Sequence, residues 1–367
     1  MRFTISREAL LRPLQVVGGV VEKRQTLPIL SNILVQAGGG SLTFTGTDLE
    51  VELTATAAMD GVDSGETTLP ARKFIDICRS LPEEATIEVS VEEDKATVKS
   101  GRSRFTLATL RAGDFPSTDT LAGGFEFEMS QGQLKTLIEQ TQFCMANQDV
   151  RYYLNGMLLE LDGQRIRAVA TDGHRLAVSD APGGVAGSTV KHQVIVPRKG
   201  ITELGRLLSS GDEACTVKIS PNHIRVKLGA ITLTSKLIDG KFPDYERVIP
   251  KQNTRAVVAD RDLLRQALSR AAILSNEKYR GIRLLLDENR LRAVVNNPEQ
   301  EEAEEELEVA YSGGEFEIGF NVNYVIEALN AIRQEQVELG LSDANSSCLM
   351  YGVGESGARY VIMPMRL

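Results

Sequence analysis

Arg165-Ile166-Arg167-Ala168-Val169-Ala170-Thr171-Asp172 returns, altered, as Arg290-Leu291-Arg292-Ala293-Val294-Val295-Asn296-Asn297, 125 residues later. In the other direction, Gly46-Thr47-Asp48 matches Ala170-Thr171-Asp172 at a distance of 124. Asn32-Ile33-Leu34 precedes the earliest copy as Asn155-Gly156-Met157-Leu158 precedes the middle one. Leu69-Pro70-Ala71-Arg72-Lys73 resembles Val196-Pro197-Arg198-Lys199, and Asp114-Phe115-Pro116 resembles Lys241-Phe242-Pro243. Each match is weak alone, but the shared order and spacing mark a triplication. A period near 125 is far longer than a solenoid repeat, so each copy is a whole domain. The copies run 1–122, 123–251 and 252–367, with joints at Gly123-Gly124 and near Pro250.

The same elements recur in each copy. A helix opens it, over 6–20, 130–144 and 260–274. Ser6, Ser130 and Asp260 suit the N-cap, and Glu8, Gln133 and Asp262 suit the first turn. Leu263, Leu264, Ala267, Leu268 and Ala271 form an amphipathic stripe. Pro13 is expected to kink the first helix or limit its start. Alternating strands such as 41–45 and 86–91 follow, and a second helix begins near Arg72, Arg198 and Asn321. The fold class is α+β: three tandem copies of two helices on an antiparallel sheet.

Composition excludes several classes. The 367 residues are 42% hydrophobic, which argues against disorder. No apolar run approaches the ~20 residues needed to span a bilayer. Met1 to Ser6 lack the apolar stretch of a signal peptide. A cytoplasmic protein without a membrane partner is expected. Cys78, Cys144, Cys215 and Cys348 are widely separated, so reduced, core or semi-buried thiols are expected rather than zinc or disulfides.

Taken as an average, the net charge of −9 disfavours nucleic acid. Its distribution reverses that. The six expected helices carry thirteen basic residues, among them Arg72, Lys73, Arg198, Lys199 and Arg206, against seven acidic ones. Basic helices in an acidic chain suggest one segregated positive face for a polyanion. The acidic run from Glu299 through Glu301, Glu302 and Glu304 to Glu308 reads as a solvated loop or edge strand. It could also meet Lys73, Arg102 and Arg104 of another subunit.

No catalytic signature is present: no P-loop, no dinucleotide fingerprint, no nucleophile elbow and no H-E-x-x-H. Thr171-Asp172-Gly173-His174-Arg175 looks active-site-like, but the first copy has Thr47-Asp48-Leu49-Glu50 in its place. The Thr-Asp pair is therefore expected to fix a turn. His174 belongs to copy two alone and reads as a surface or groove residue. Neither a cofactor nor a metal is expected, and the chain is not expected to be an enzyme.

Val150-Arg151-Tyr152-Tyr153-Leu154-Asn155-Gly156, Thr171 to Leu176, Phe242-Pro243-Asp244-Tyr245 and Val361-Ile362-Met363-Pro364-Met365-Arg366-Leu367 closely resemble the bacterial sliding clamp family, the β subunit of DNA polymerase III. The resemblance spans the chain in order. It implies the DNA clamp fold and a head-to-tail homodimer, a ring of six pseudo-equivalent domains around double-stranded DNA. It also implies partners: the polymerase III α subunit and other polymerases, a clamp loader, and other proteins bearing a clamp-binding motif. Geometry agrees. A ~120-residue domain is roughly 35 Å across, so six in a ring leave a hole of about 35 Å and four only about 15 Å. A duplex is roughly 20 Å wide. The alternative reading is a three-domain peptide-binding scaffold that never encircles DNA; the basic helices argue against it.

The resemblance also implies sites. Arg24 and Gln148 become duplex contacts beside the basic helix residues. Ile273 and Leu274 are implied to meet the partner near Phe105 and Leu107, with ion pairs from Lys73, Arg102 or Arg104 to the acidic run. A client groove is implied between copies two and three. Its walls would be Leu154, Thr171, Gly173, His174, Leu176, Pro243, Val248, Val361 and Met363. Its edges would be Arg151, Tyr153, Arg175, Arg247, Asn321, Tyr324, Ser347, Pro364, Met365 and Arg366. Apolar floors with a few polar anchors suit short peptides. Only copy two carries Gly173-His174-Arg175, so one groove per protomer is expected.

Overall fold

The computed structural model describes residues 1–22, 27–59, 61, 63–116, 118, 121–183, 191–354 and 357–366. The chain forms two compact units, Met1–Leu134 with Lys199–Leu237, and Lys135–Arg198 with Ile238–Leu367. Copy two contributes to both, so compactness does not follow the repeat. Among the described residues no helix is long and apolar enough to cross a membrane.

Side-chain caps mark the starts of four of the six helices. They are α1 Arg7–Val17, α2 Ala71–Ser80, α3 Gln131–Thr141, α4 Arg198–Leu207, α5 Arg261–Ala271 and α6 Val322–Ala331. The Ser6 hydroxyl accepts from the Ala9 N–H at 3.3 Å, and the Asp260 carboxylate from Leu263 at 2.8 Å. Ser130 and Gln133 cap one another, the hydroxyl accepting from Gln133 N at 3.1 Å and the amide oxygen from Ser130 N at 3.4 Å. Helix α1 runs through Pro13, which is buried, so the proline does not limit its start. In α5 the stripe narrows: Leu264, Ala267, Leu268 and Ala271 are buried, while Leu263 is 58% exposed.

In the first unit an eight-stranded antiparallel sheet runs Gly65–Pro70, Asn32–Gly38, Ser41–Thr47, Val51–Ala58, Ile231–Lys236, His223–Leu228, Ala214–Ile219, Phe125–Ser130. Its two halves come from copies one and two and join where Leu53 faces Leu233. The second unit repeats this with His192–Pro197, Gly156–Leu161, Arg165–Thr171, Arg175–Pro182, Ala358–Ile362, Cys348–Gly352, Gln336–Leu341, Arg255–Asp260. Its halves, from copies two and three, join where Ala177 faces Tyr360. Paired edges bury backbone donors and acceptors that would otherwise need water.

Each unit also has a four-stranded sheet. The first ends at Ser103–Ala108 and the second at Glu302–Glu308, so the acidic run is an edge strand, as one reading of its charge expected. Both edges lack a partner strand among the described residues. The four cysteines are buried free thiols.

Candidate functional site: a groove beside a Thr-Asp turn

The Thr-Asp pair builds a turn, as expected. The Thr171 hydroxyl donates to the Arg175 carbonyl at 2.6 Å and accepts from Gly173 N at 3.1 Å. The Asp172 carboxylate accepts from His174 N at 2.9 Å and Arg175 N at 3.1 Å. Side chains thus satisfy the backbone and leave the loop one shape. Gly173 sits at φ +89°, in the left-handed region. A Cβ there would lie 2.8 Å from the Arg151 guanidinium.

Beside this turn lies a cavity of about 250 Å³. Its lining includes all nine expected walls: Leu154, Thr171, Gly173, His174, Leu176, Pro243, Val248, Val361 and Met363. Of the expected edges, Arg151, Tyr153, Arg175 and Ser347 also border it. The floor is continuous with a buried cluster of Leu154, Leu158, Val169, Leu176, Phe242 and Val361. The C-terminal segment is held in place by its backbone: Met363 N donates to the His174 carbonyl at 3.0 Å, and Met365 N to Gly319 at 2.8 Å.

Six expected edges do not border this cavity. Arg247 is turned outward and paired with Asp244 at 2.7 Å. Asn321 caps α6 through the Asn323 N–H at 3.0 Å. Tyr324 lies under the Arg175 guanidinium, 4.3 Å from ring centroid to Cζ. Met365 and Arg366 line a different cavity with Tyr279 and Val294, and Pro364 lines neither. Arg175 itself is engaged inside the protein. It bonds Asp172 at 3.1 Å, the Phe143 carbonyl at 2.7 Å and the Glu327 carboxylate. It ties α6 to the turn rather than offering its charge outward.

Two residues of the lining, Asp244 and Tyr245, were not expected. Their signal was their place after Pro243. Tyr245 is hidden from sequence reasoning because its hydroxyl is fixed by distant groups, donating to buried Glu160 at 3.2 Å and accepting from Arg167 at 3.2 Å. Arg151, by contrast, is held locally. Its Nε and Nη2 donate to Asp149 at 3.0 and 2.8 Å, and this bond holds the Asp149 carboxyl down at about 2.

The basic helix residues divide into two groups. Arg72 and Lys73 are exposed on α2 and make no ion pair among the described residues. Lys199 bonds both Glu22 and Asp48. Burial depresses its pKa, but the two carboxylates outweigh this and raise it. Its charge is met within the chain, unlike that of Arg72 and Lys73. Arg206 is paired with Glu203 at 2.7 Å and remains half exposed. Arg198 donates to the Met145 carbonyl at 2.8 Å. Gln148 is exposed with φ +55°, and Arg24 lies outside the described residues.

Comparison with known proteins decides between the clamp and the scaffold. Three family models match in order: the N-terminal domain of the DNA polymerase III beta subunit over residues 1–119, its central domain over 128–244 and its C-terminal domain over 246–366. The beta sliding clamp of Pseudomonas aeruginosa is 56% identical, and that of Escherichia coli K12 55%, each over 100% of both chains. The crystal structure of the Pseudomonas aeruginosa DNA polymerase III subunit beta superposes with a TM-score of 0.97 at 56% identity, covering both chains fully. The Caulobacter crescentus sliding clamp superposes at 0.93 with 40% identity, again over both full chains.

The chain belongs to the DNA polymerase III β subunit family.

Full-length membership favours the sliding clamp over a scaffold that never meets DNA. In a clamp the open edges carry weight. Ile273 is 75% exposed in the single turn that follows α5, and Leu274 beside it is half-buried. Phe105 is half-buried, and Leu107, two positions on and on the same face of the strand, is 7% exposed within the single chain. Part of the acidic run is answered within the chain. Glu304 meets Arg292 at 3.2 Å and Glu305 meets Arg270 at 2.5 Å. Glu301 accepts from the Asn297 side chain at 2.7 Å. Lys73, Arg102 and Arg104 have no such partner among the described residues.

Proposed function

We propose that two copies of the chain close head to tail into a ring around duplex DNA and hold a polymerase to it through the Arg151–Met363 groove. The observation that carries this reading is the pair of open strand edges. Two of three sheet junctions are closed inside the chain by antiparallel pairing. The strands left over, Ser103–Ala108 and Glu302–Glu308, are the counterparts of those that pair.

The internal register carries over to the open junction. Glu302–Glu308 follows Arg290–Asn296 as Val51–Ala58 follows Ser41–Thr47, which makes Glu304 the counterpart of Thr54 and Ala303 that of Leu53. Ser103–Ala108 follows a turn at Gly101 as Ile231–Lys236 follows one at Gly229, so Arg104 matches Thr232 and Phe105 matches Leu233. Thr54 faces Thr232 and Leu53 faces Leu233. In the ring Glu304 of one protomer then faces Arg104 of the next, and small Ala303 receives Phe105. Exposed Ile273 is covered at the same seam.

The remaining roles follow from chemistry. Arg72 and Lys73 attract phosphate, with Arg24, Gln148, Arg198 and Arg206 as further contacts. Such contacts are sequence-blind and salt-sensitive, which permits sliding. The chain performs no reaction itself, acts in the cytoplasm and depends on a separate loader to open the ring. Clients present a Gln-and-Leu/Phe-containing pentapeptide to the groove, two grooves per ring. The test is topological. Clamps loaded on nicked circular DNA should be retained through gel filtration and lost on linearisation. Equal loss from circles and linear DNA would refute encirclement.

A further inference from the structure

The first sheet junction has a cavity of its own, about 480 Å³, at the place that the groove occupies in the second. The correspondence is residue by residue: Thr47 stands for Thr171, Leu49 for Gly173, Pro116 for Pro243, His223 for Ser347 and Lys236 for Met363. The backbone agrees. Val51 faces Ser235 as Arg175 faces Ile362. Lys236 N donates to the Glu50 carbonyl at 2.9 Å as Met363 N donates to His174. The turn is also the same, with Thr47 and Asp48 accepting from Leu49, Glu50 and Val51 at 2.7–3.1 Å.

The lining differs in chemistry. Among the described lining residues, the titratable ones are His223 and Lys236. Lys236 is exposed and has no ion-pair partner among the described residues. Burial first, then the Lys236 and Arg225 charges, hold His223 below its ordinary pKa, with Glu52 pulling the other way. Lys236 thus offers an unpaired cation at the mouth, while Glu52 is held at the other side by Thr118 N at 2.9 Å. Leu49 adds an apolar wall. It is 42% exposed and held at φ +77°, a conformation a bulky residue adopts only with strain, and strain kept at a cavity rim points to use.

We propose that this cavity is a second peptide-docking site, taking an extended protein segment with a carboxylate beside an apolar side chain. The carboxylate meets Lys236 and His223, and the apolar side chain rests on Leu49, Pro116 and Leu121. The template for this inference is the reading of the Arg151–Met363 cavity as a peptide groove.

The three histidines make the test direct, because His223 lines this cavity, His174 lines the groove and His192 lines neither. Histidine-labelled full-length protein is titrated with acetyl-Leu-Asp-Leu-Phe-amide while the imidazole resonances are followed by NMR. The expected result is a saturable shift of His223 with His192 unmoved. The Asp→Asn peptide should bind at least tenfold more weakly, and Lys236→Met should remove the response. The proposal is overturned if His223 does not respond, if the Asn peptide binds equally, or if inorganic phosphate alone produces the same saturable shift. A Gln- and Leu-containing client pentapeptide should move His174 in the same sample. Its failure to do so would sink the groove reading and leave the His223 result to stand or fall separately.

Discussion

Thr47 to Val51 and Thr171 to Arg175 are one turn built twice, with the same side chains accepting from the same backbone positions. What they border is not the same. The second junction has Gly173, Leu176 and Met363 where the first has Leu49, Glu52 and Lys236. Hydrogen bonds fix the scaffold, and the positions that the scaffold leaves free set the chemistry. The third junction differs again. Asn297 replaces the Thr-Asp turn, the strands are joined by a longer loop, and no strand of the chain closes the edge among the described residues.

The largest effect should come from the open junction. Burying an Ile or Leu side chain contributes about 1.5–3 kcal/mol. Ile273→Ala with Leu274→Ala should weaken the dimer by at least about a thousandfold by that measure and yield folded monomers by light scattering, while both closed junctions persist. A surviving dimer would show that the seam lies elsewhere.

Next is the second junction. Deleting residues 363–367 removes the Met363 wall and the Met363–His174 backbone bond. Client-peptide affinity should fall by at least about a hundredfold, close to 2.7 kcal/mol, in a fluorescence titration, with dimer and DNA retention unchanged. Unchanged affinity would remove the groove from this place.

Exchanging the residue that distinguishes the two turns should have a smaller, reciprocal effect. Gly173→Leu imposes a left-handed conformation costing roughly 1–2 kcal/mol and crowds Arg151. Stability should drop by that amount in urea and peptide affinity by about tenfold. Leu49→Gly relieves the same strain and should leave stability level or raise it by up to about 1 kcal/mol. A destabilised Leu49→Gly would mean that Leu49 packs more than it strains.

The smallest effect tests register. Glu304→Arg should weaken the dimer, and Arg104→Glu in the same chain should restore it, with a coupling under about 1 kcal/mol because the pair is rim-exposed. Sedimentation equilibrium on both singles and the double would reveal an absent coupling and so a different strand register.

Much of this was legible in the residues. The repeat shows as matched order along the chain, and the caps at Ser6, Ser130 and Asp260 and the Thr-Asp turn are local: each depends on groups a few positions apart, so spacing reports them. The groove walls were legible through family resemblance, and all nine border one cavity. Tyr245 escaped because its hydroxyl answers Glu160 and Arg167, some eighty residues away. Lys199 read as a free cation because nothing in its neighbourhood announces Asp48 and Glu22.

The chain by itself determined three copies, an α+β plan and basic helices in an acidic protein, because periodicity and charge are properties of order along a chain. Only the tertiary structure decided which copies share a sheet, which cations are already answered, and that the first junction holds a cavity equivalent to the groove. Those outcomes rest on pairing between strands more than 170 residues apart, such as Leu53 with Leu233. Their partners are chosen by which edges remain unsatisfied once each half-sheet has formed.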